Sequence, residues 1–198
     1  MTKMTIIPSQ PTTTPSISGS RERLSERGEL PFKLDPKLKI VKNLAEQGEY
    51  ERAFRALPSR PGDHEVQNCR AVCLMRMHKF AQAIGPLRTV ALNTSTFRVR
   101  SEVADHIKIN FAIALFFGGE PLGGLEVLGE LKMEQDPSVQ MVRAAAKQWS
   151  AEMSFFRRLD WYFNRVAPKQ GPRAPAEPVG RFLWELDRLP QAASVEPQ

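Results

Sequence analysis

Three stretches of this chain, LAEQGEYERAFRAL, LMRMHKFAQAIGPL and LFFGGEPLGGLEVL, align without a gap. Leu44, Leu74 and Leu115 share one position, and Gly48, His78 and Gly119 follow four residues later at a turn. Ala53, Ala83 and Gly124 share the next position, and Leu57, Leu87 and Leu128 the last. A unit of this size cannot bury its apolar face alone, so its recurrence predicts stacked copies around a continuous core.

Each copy reads as two helices. Asp35-Pro36 is a helix start, an N-cap followed by proline at the first helical position. Leu38, Val41, Leu44 and Ala45 then recur at helical spacing until Gly48. Tyr50, Ala53, Phe54 and Leu57 predict a short second helix ended by Pro58. Further pairs are predicted over 64–77 and 80–92, over 101–117 and 121–132, and over 138–151 and 154–166, the last pair opened by Asp136-Pro137. No sustained period-two pattern argues for a strand.

The apolar run NFAIALFFGGEPLGGLEVL at 110–128 then has a simple reading. Residues 110–117 end one helix, Gly118 and Gly119 make the turn, and Pro121 lies in the first turn of the next. Gly123 and Gly124 allow close packing. Each glycine costs a helix about 1 kcal/mol relative to alanine, so this second helix is expected to be the softest of the array. A phosphate loop would need GxxxxGK[ST] after a strand, and neither is present.

These residues resemble the tetratricopeptide repeat, in which a small residue of the first helix packs against a small residue of the second. The matching positions are Ala71 and Ala112 in first helices and Ala53, Ala83 and Gly124 in second ones, with Tyr50 and Phe80 as the aromatics after the turn. Pro121 stands at the aromatic position of the third unit, Val41 at the small position of the first, and Arg70 at a position usually apolar. The fourth unit keeps Ala145 but has neither turn glycine nor aromatic. The resemblance covers about two-thirds of the chain and implies an all-α fold, an α-solenoid of antiparallel helix pairs over residues 34–168. It also implies a concave groove lined by the first helices, where the family binds extended or helical peptides. On this chain the groove positions are Leu38, Lys42 and Ala45, then Asn68, Val72, Met75 and Arg76, then Ile109, Ile113, Phe116 and Phe117. The alternative is that these aromatics face a neighbouring helix. Only Lys42, Asn68 and Arg76 suit a carboxylate clamp, so an apolar peptide or helix fits the surface better.

Residues 1–33 are rich in Thr, Ser and Pro and then charged, too poor in apolar groups to offset their ordering entropy, and are expected to be a disordered tail. Residues 169–198 read as a second tail, a proline-rich linker carrying RFLWELDRL. Phe182, Leu183, Leu186 and Leu189 make a short amphipathic face there, with Trp184 offset. That segment suits a docking peptide, for another protein or for the chain's own groove. The opening residues lack the apolar core of a signal peptide, and no run approaches the roughly 18 residues of a membrane span, so a cytoplasmic chain without a membrane partner is expected.

Little chemistry is in view. Cys69 and Cys73 lie one turn apart, but His64 and His78 flank their helix at ends roughly 20 Å apart. One metal ion cannot gather all four, so no metal is expected and the cysteines read as core residues. Asp105-His106 and Asp63-His64-Glu65 are sequence neighbours that point apart on a helix, and neither GxSxG nor HExxH occurs. No catalytic residue and no cofactor is expected. The formal charge of +6 suits an acidic protein, a membrane surface or nucleic acid equally. The stretch WSAEMSFFRRLDWYFNRV sets Arg157, Arg158 and Arg165 among aromatics. Its spacing predicts a capping helix with Phe155, Leu159, Tyr162 and Val166 on one apolar face, and its alternative is contact with RNA or another polyanion. The expected function is a non-enzymatic adaptor or chaperone-like module that binds a protein partner.

Overall fold

The computed structural model describes residues 34–93, 95–96, 98–131, 133–166, 168 and 170–188. The expected tail at 1–33, and Leu189 with the residues after it, lie outside the described residues. The described residues belong to one compact unit. Among them are eight α-helices, a short 3₁₀ helix and no strand: α1 (Pro36–Glu46), α2 (Tyr50–Ala56), α3 (His64–Arg76), α4 (Phe80–Ala91), α5 (Asp105–Phe117), α6 (Pro121–Glu130), α7 (Pro137–Glu152), α8 (Phe155–Asn164) and η1 (Leu183–Arg188).

The helix starts follow the sequence signals. The Asp35 carboxylate accepts from the Lys37 amide ahead of Pro36, Asp63 accepts from the Glu65 and Val66 amides, and Asp136 accepts from those of Ser138 and Val139. Each bond satisfies an amide the helix cannot pair internally. Helix α5 begins at Asp105, later than the predicted 101. Val103 turns into the core, and Lys108 Nζ donates back to the Ser101 carbonyl at 3.1 Å, so residues 101–104 form a loop over the first turn.

The three aligned turns share one geometry. Gly48, His78 and Gly119 have φ of +77°, +57° and +106°, the left-handed conformation that closes a helix. One residue later the amides of Glu49, Lys79 and Glu120 donate to the carbonyls of Leu44, Leu74 and Leu115, at 2.9, 2.8 and 2.9 Å. This six-to-one bond ends α1, α3 and α5 in the same way. The fourth turn has no such residue, and Met153 and Ser154 are extended there.

Sequence-adjacent helices from α1 to α6 pack on one another, and α5 also touches α3 and α7. Helix α5 is buried along nearly its whole length, including His106, Lys108 and Asn110. Val41, Ala53, Ala71, Ala83 and Ala112 are fully buried. Gly124 explains the approach of α6 to α5: a Cβ there would lie 2.7 Å from the Ala112 carbonyl oxygen and 2.9 Å from the Phe116 amide nitrogen. A Cβ at Gly123 would meet only Leu115 Cδ1, at an ordinary 3.7 Å. Gly124→Ala is therefore expected to destabilise by about 1–2 kcal/mol, overpacking outweighing helix propensity, while Gly123→Ala stabilises by about 0.5–1 kcal/mol. Urea melts of the two variants check this, and equal shifts would contradict it.

Candidate functional site

The predicted groove positions fall into two groups. Asn68, Val72, Met75 and Arg76 on α3 meet the chain's own residues 179–185. Asn110 of α5, which the sequence reading passed over, joins them. Its side chain reads the main chain of one residue in both directions: Oδ1 accepts from the Arg181 amide at 2.9 Å, and Nδ2 donates to the Arg181 carbonyl at 2.8 Å. Asn110 Nδ2 also donates to Asn68 Oδ1 at 2.7 Å, and Asn68 Nδ2 reaches the same carbonyl at 3.3 Å. Both asparagines are completely buried. Arg76 donates to the carbonyls of Val179 and Gly180, at 3.0 and 2.7 Å, and pairs with Glu185 at 3.1 Å. Side chains of α3 and α5 thus satisfy the main chain of three successive residues.

Side chains fix the register of the segment. Gly180 has φ +83°, and a Cβ on it would come within 2.6 Å of Met75 Cε and 3.5 Å of Val72 Cγ1. Arg181 forks onto Asp136, with bonds of 2.7 and 3.1 Å, while the same carboxylate caps α7. Both partners of that ion pair are about nine-tenths buried. Phe182 and Trp184 stack, ring centroids 4.6 Å apart and 8° from parallel, and are 1% and 2% exposed. The buried pair of this segment is therefore Phe182, just before η1, and Trp184 within it, while Leu183 and Leu186 of the expected face are half-buried. Residues 179–182 lie outside any helix and η1 begins only at Leu183, so the α-helical period does not set which residues turn inward. They lie in the core, beyond the 34–168 range read from the sequence.

Of the remaining groove positions, the two phenylalanines face helices. Phe116 is fully buried and meets Trp149 of α7, edge to face at 6.4 Å. Phe117 packs on Phe80 of α4 at 5.5 Å. Ile109 and Ile113 are buried on α5, and Lys42 is half-buried on α1.

The three arginines of the fourth unit have different surroundings. Arg158 donates to the carbonyls of Ser150, Ala151 and Met153, where it satisfies the end of α7. Arg165 pairs with Glu126, and Arg157 is exposed. The predicted capping face is a correction: its Phe155, Leu159 and Val166 are exposed, as are Phe156 and Phe163 beside it, and among the described side chains of α8 it is Trp161 that turns inward, against Trp149 at 5.0 Å. Helical period alone does not say which stripe meets the neighbour.

Among the described residues no group of three or more His, Cys, Asp or Glu side chains could hold a metal ion. Cys69 and Cys73 are buried thiols. Burial pushes the Cys69 thiol well up, with the Glu65 carboxylate adding to it, and pushes Cys73 up to about 12 against the opposing charge of Arg76. Glu65 also meets His106 at 3.1 Å, on the side of α3 that faces α5. No described helix is long and apolar enough to cross a membrane. No family model, curated protein or solved structure matches the chain.

Two expectations follow from this geometry. Asn110→Ala leaves the Arg181 amide without its partner and its carbonyl with only the longer bond from Asn68, and is expected to cost about 2–4 kcal/mol, summed over two groups. Asn110→Asp, which sets a carboxylate against two carbonyl oxygens, is expected to cost more; a urea melt in which it is the milder change would contradict the bonding assigned here. The thiols give the second. They stay protonated in the folded chain above their ordinary value of 9.0, where the unfolded chain has lost those protons. Stability is thus expected to fall as pH rises from about 9 towards about 12. Below that window, thiol reagents are expected to label the chain only at its unfolding rate, and rapid labelling of native protein would contradict the burial.

Proposed function

We propose that the chain is a non-enzymatic protein-interaction module, a repeat array akin to tetratricopeptide domains, whose α3 and α5 form the floor of a peptide-binding groove. The observation that carries this reading is Asn110: a fully buried amide that accepts from the N–H and donates to the C=O of a single residue in an extended segment. Such a pair of bonds recognises backbone whatever the side chain. Neighbouring helices do not offer it, because their own amides and carbonyls are already paired. Val72 and Met75, which lie against Gly180, add the apolar part of the site. The ligand class is therefore an extended peptide with apolar anchors.

Contact with a polyanion through α8 draws less support. Arg158 is engaged by three carbonyls and Arg165 by a carboxylate, which leaves Arg157.

Displayed random peptides selected against the chain carrying Arg181→Ala, a change that loosens the resident segment, test the reading. The selected peptides are expected to survive high salt and to lose binding when Asn110→Ala is added. Peptides that ignore Asn110→Ala but are lost with Arg157→Glu would move the site to α8. Binding of single-stranded RNA with a steep fall in salt, and of no peptide, would replace the reading altogether.

A further inference from the structure

The resident segment also describes the ligand, an inference that rests on the groove reading above. We propose that the partner peptide carries, in order, glycine, a basic residue, an aromatic, any residue, an aromatic and an acid, and that the chain's own Gly180–Glu185 competes with it for the site.

Each position has its reason on α3, α5 or α7. Glycine is required where φ is +83° and a Cβ would meet Met75 Cε at 2.6 Å. The next residue supplies the N–H and C=O that Asn110 holds, and its cationic head lies on Asp136. Lysine there loses the two-pronged bond that arginine makes with this carboxylate, so arginine is preferred. The aromatics fill the buried pocket that Phe182 and Trp184 occupy as a stacked pair. Trp184 Nε1 is buried with no hydrogen-bond partner among the described residues, so the pocket takes phenylalanine there without a stranded N–H. The acid faces Arg76, whose guanidinium is already turned to the segment by two carbonyls.

The competition follows from connectivity. The segment is joined to α8 through residues 165–179 and is tied upstream where Trp149 Nε1 donates to the Gln170 carbonyl at 3.1 Å, which leaves 171–179 as the linker. A ligand held by so short a linker acts at an effective concentration in the millimolar range, so a free peptide of equal intrinsic affinity is largely excluded until the linked copy is weakened. One edge of the site is open to begin that exchange. A cleft of about 310 Å³ runs between the first turn of α7 and residues 175–185, lined by Pro137, Met141, Pro178 and Arg181 among others.

The test uses the full-length chain and a fluorescein-labelled peptide of residues 176–188, followed by anisotropy. Arg181→Ala with Glu185→Ala weakens the resident copy and leaves Asn68, Val72, Met75, Arg76 and Asn110 intact. Peptide affinity is expected to rise by at least about tenfold over the unaltered chain, because the tethered competitor is removed. Adding Asn110→Ala is expected to abolish the gain, and a peptide with alanine in place of glycine is expected to bind at least about tenfold more weakly, the cost of a left-handed alanine. Equal binding to both chains, still sensitive to Asn110→Ala, would overturn the competition and leave the groove reading standing. No binding to a variant that amide exchange shows to be folded, with 179–185 released, would overturn both. Amide exchange of the unaltered chain covers the case in which the variant fails to fold. Residues 179–185 are expected to exchange many-fold faster than α3 and α5, and equal protection would make the segment part of the cooperative core and end the proposal.

Discussion

An amide side chain sealed inside a protein must find partners for two donors and an oxygen, and Asn110 finds nearly all of them in one place. Helix α5 is otherwise apolar around this residue and touches α3, α4, α6 and α7. An asparagine at such a position would be costly if only helices surrounded it, because their main-chain groups are engaged. The Arg181 main chain and Asn68 remove that cost together. The rest of the site arranges itself about this contact. Residue 181 is fixed by it, so Gly180 must lie on Met75, Arg181 must reach Asp136, and Phe182 must turn inward.

Asp136 links this site to the helix array. Its Oδ1 accepts from the first amides of α7, and both of its oxygens receive the Arg181 fork. Weakening the segment therefore leaves α7 capped, whereas altering Asp136 would disturb both. Arg76 has the corresponding place on α3, at the last helical residue before the turn at His78, where a cation also suits the helix dipole. The two charges that hold residues 179–185 are thus set at helix ends, where the backbone itself favours them.

Helix α8 stands apart from this pattern. Its Trp161 completes a small cluster with Trp149 and Met153, and Arg158 closes the carbonyl end of α7. Its phenylalanines point outward. The basic and aromatic mixture that suggested a polyanion site divides, in three dimensions, into an arginine bound to backbone, an arginine bound to Glu126, and an exposed apolar surface.

Much of the fold was legible before any coordinates. The caps at Asp35 and Asp136, the turn positions Gly48, His78 and Gly119, and the buried small residues Ala53, Ala83 and Gly124 all follow from local rules of dihedral angle, capping and periodicity, which act over a few residues. Asn68, Val72, Met75 and Arg76 are marked as groove positions of α3 only through the resemblance to the tetratricopeptide repeat. Asn110 could not be marked, because nothing within its own helix distinguishes an asparagine that meets a main chain from one that meets solvent. The available signal was a polar residue between Ile109 and the apolar run FAIALFF, which demands an explanation by itself. Nor could period say that Trp161, and not Leu159, turns inward on α8, or that Phe182 and Trp184 form the buried pair of the last segment. The helices and most of their ends were readable from local sequence, because those depend on near neighbours. Which side chains of α3, α5 and α7 meet the segment around Arg181 was settled by tertiary structure, because those contacts join residues 45 to 113 positions apart and depend on where every intervening turn sends the chain.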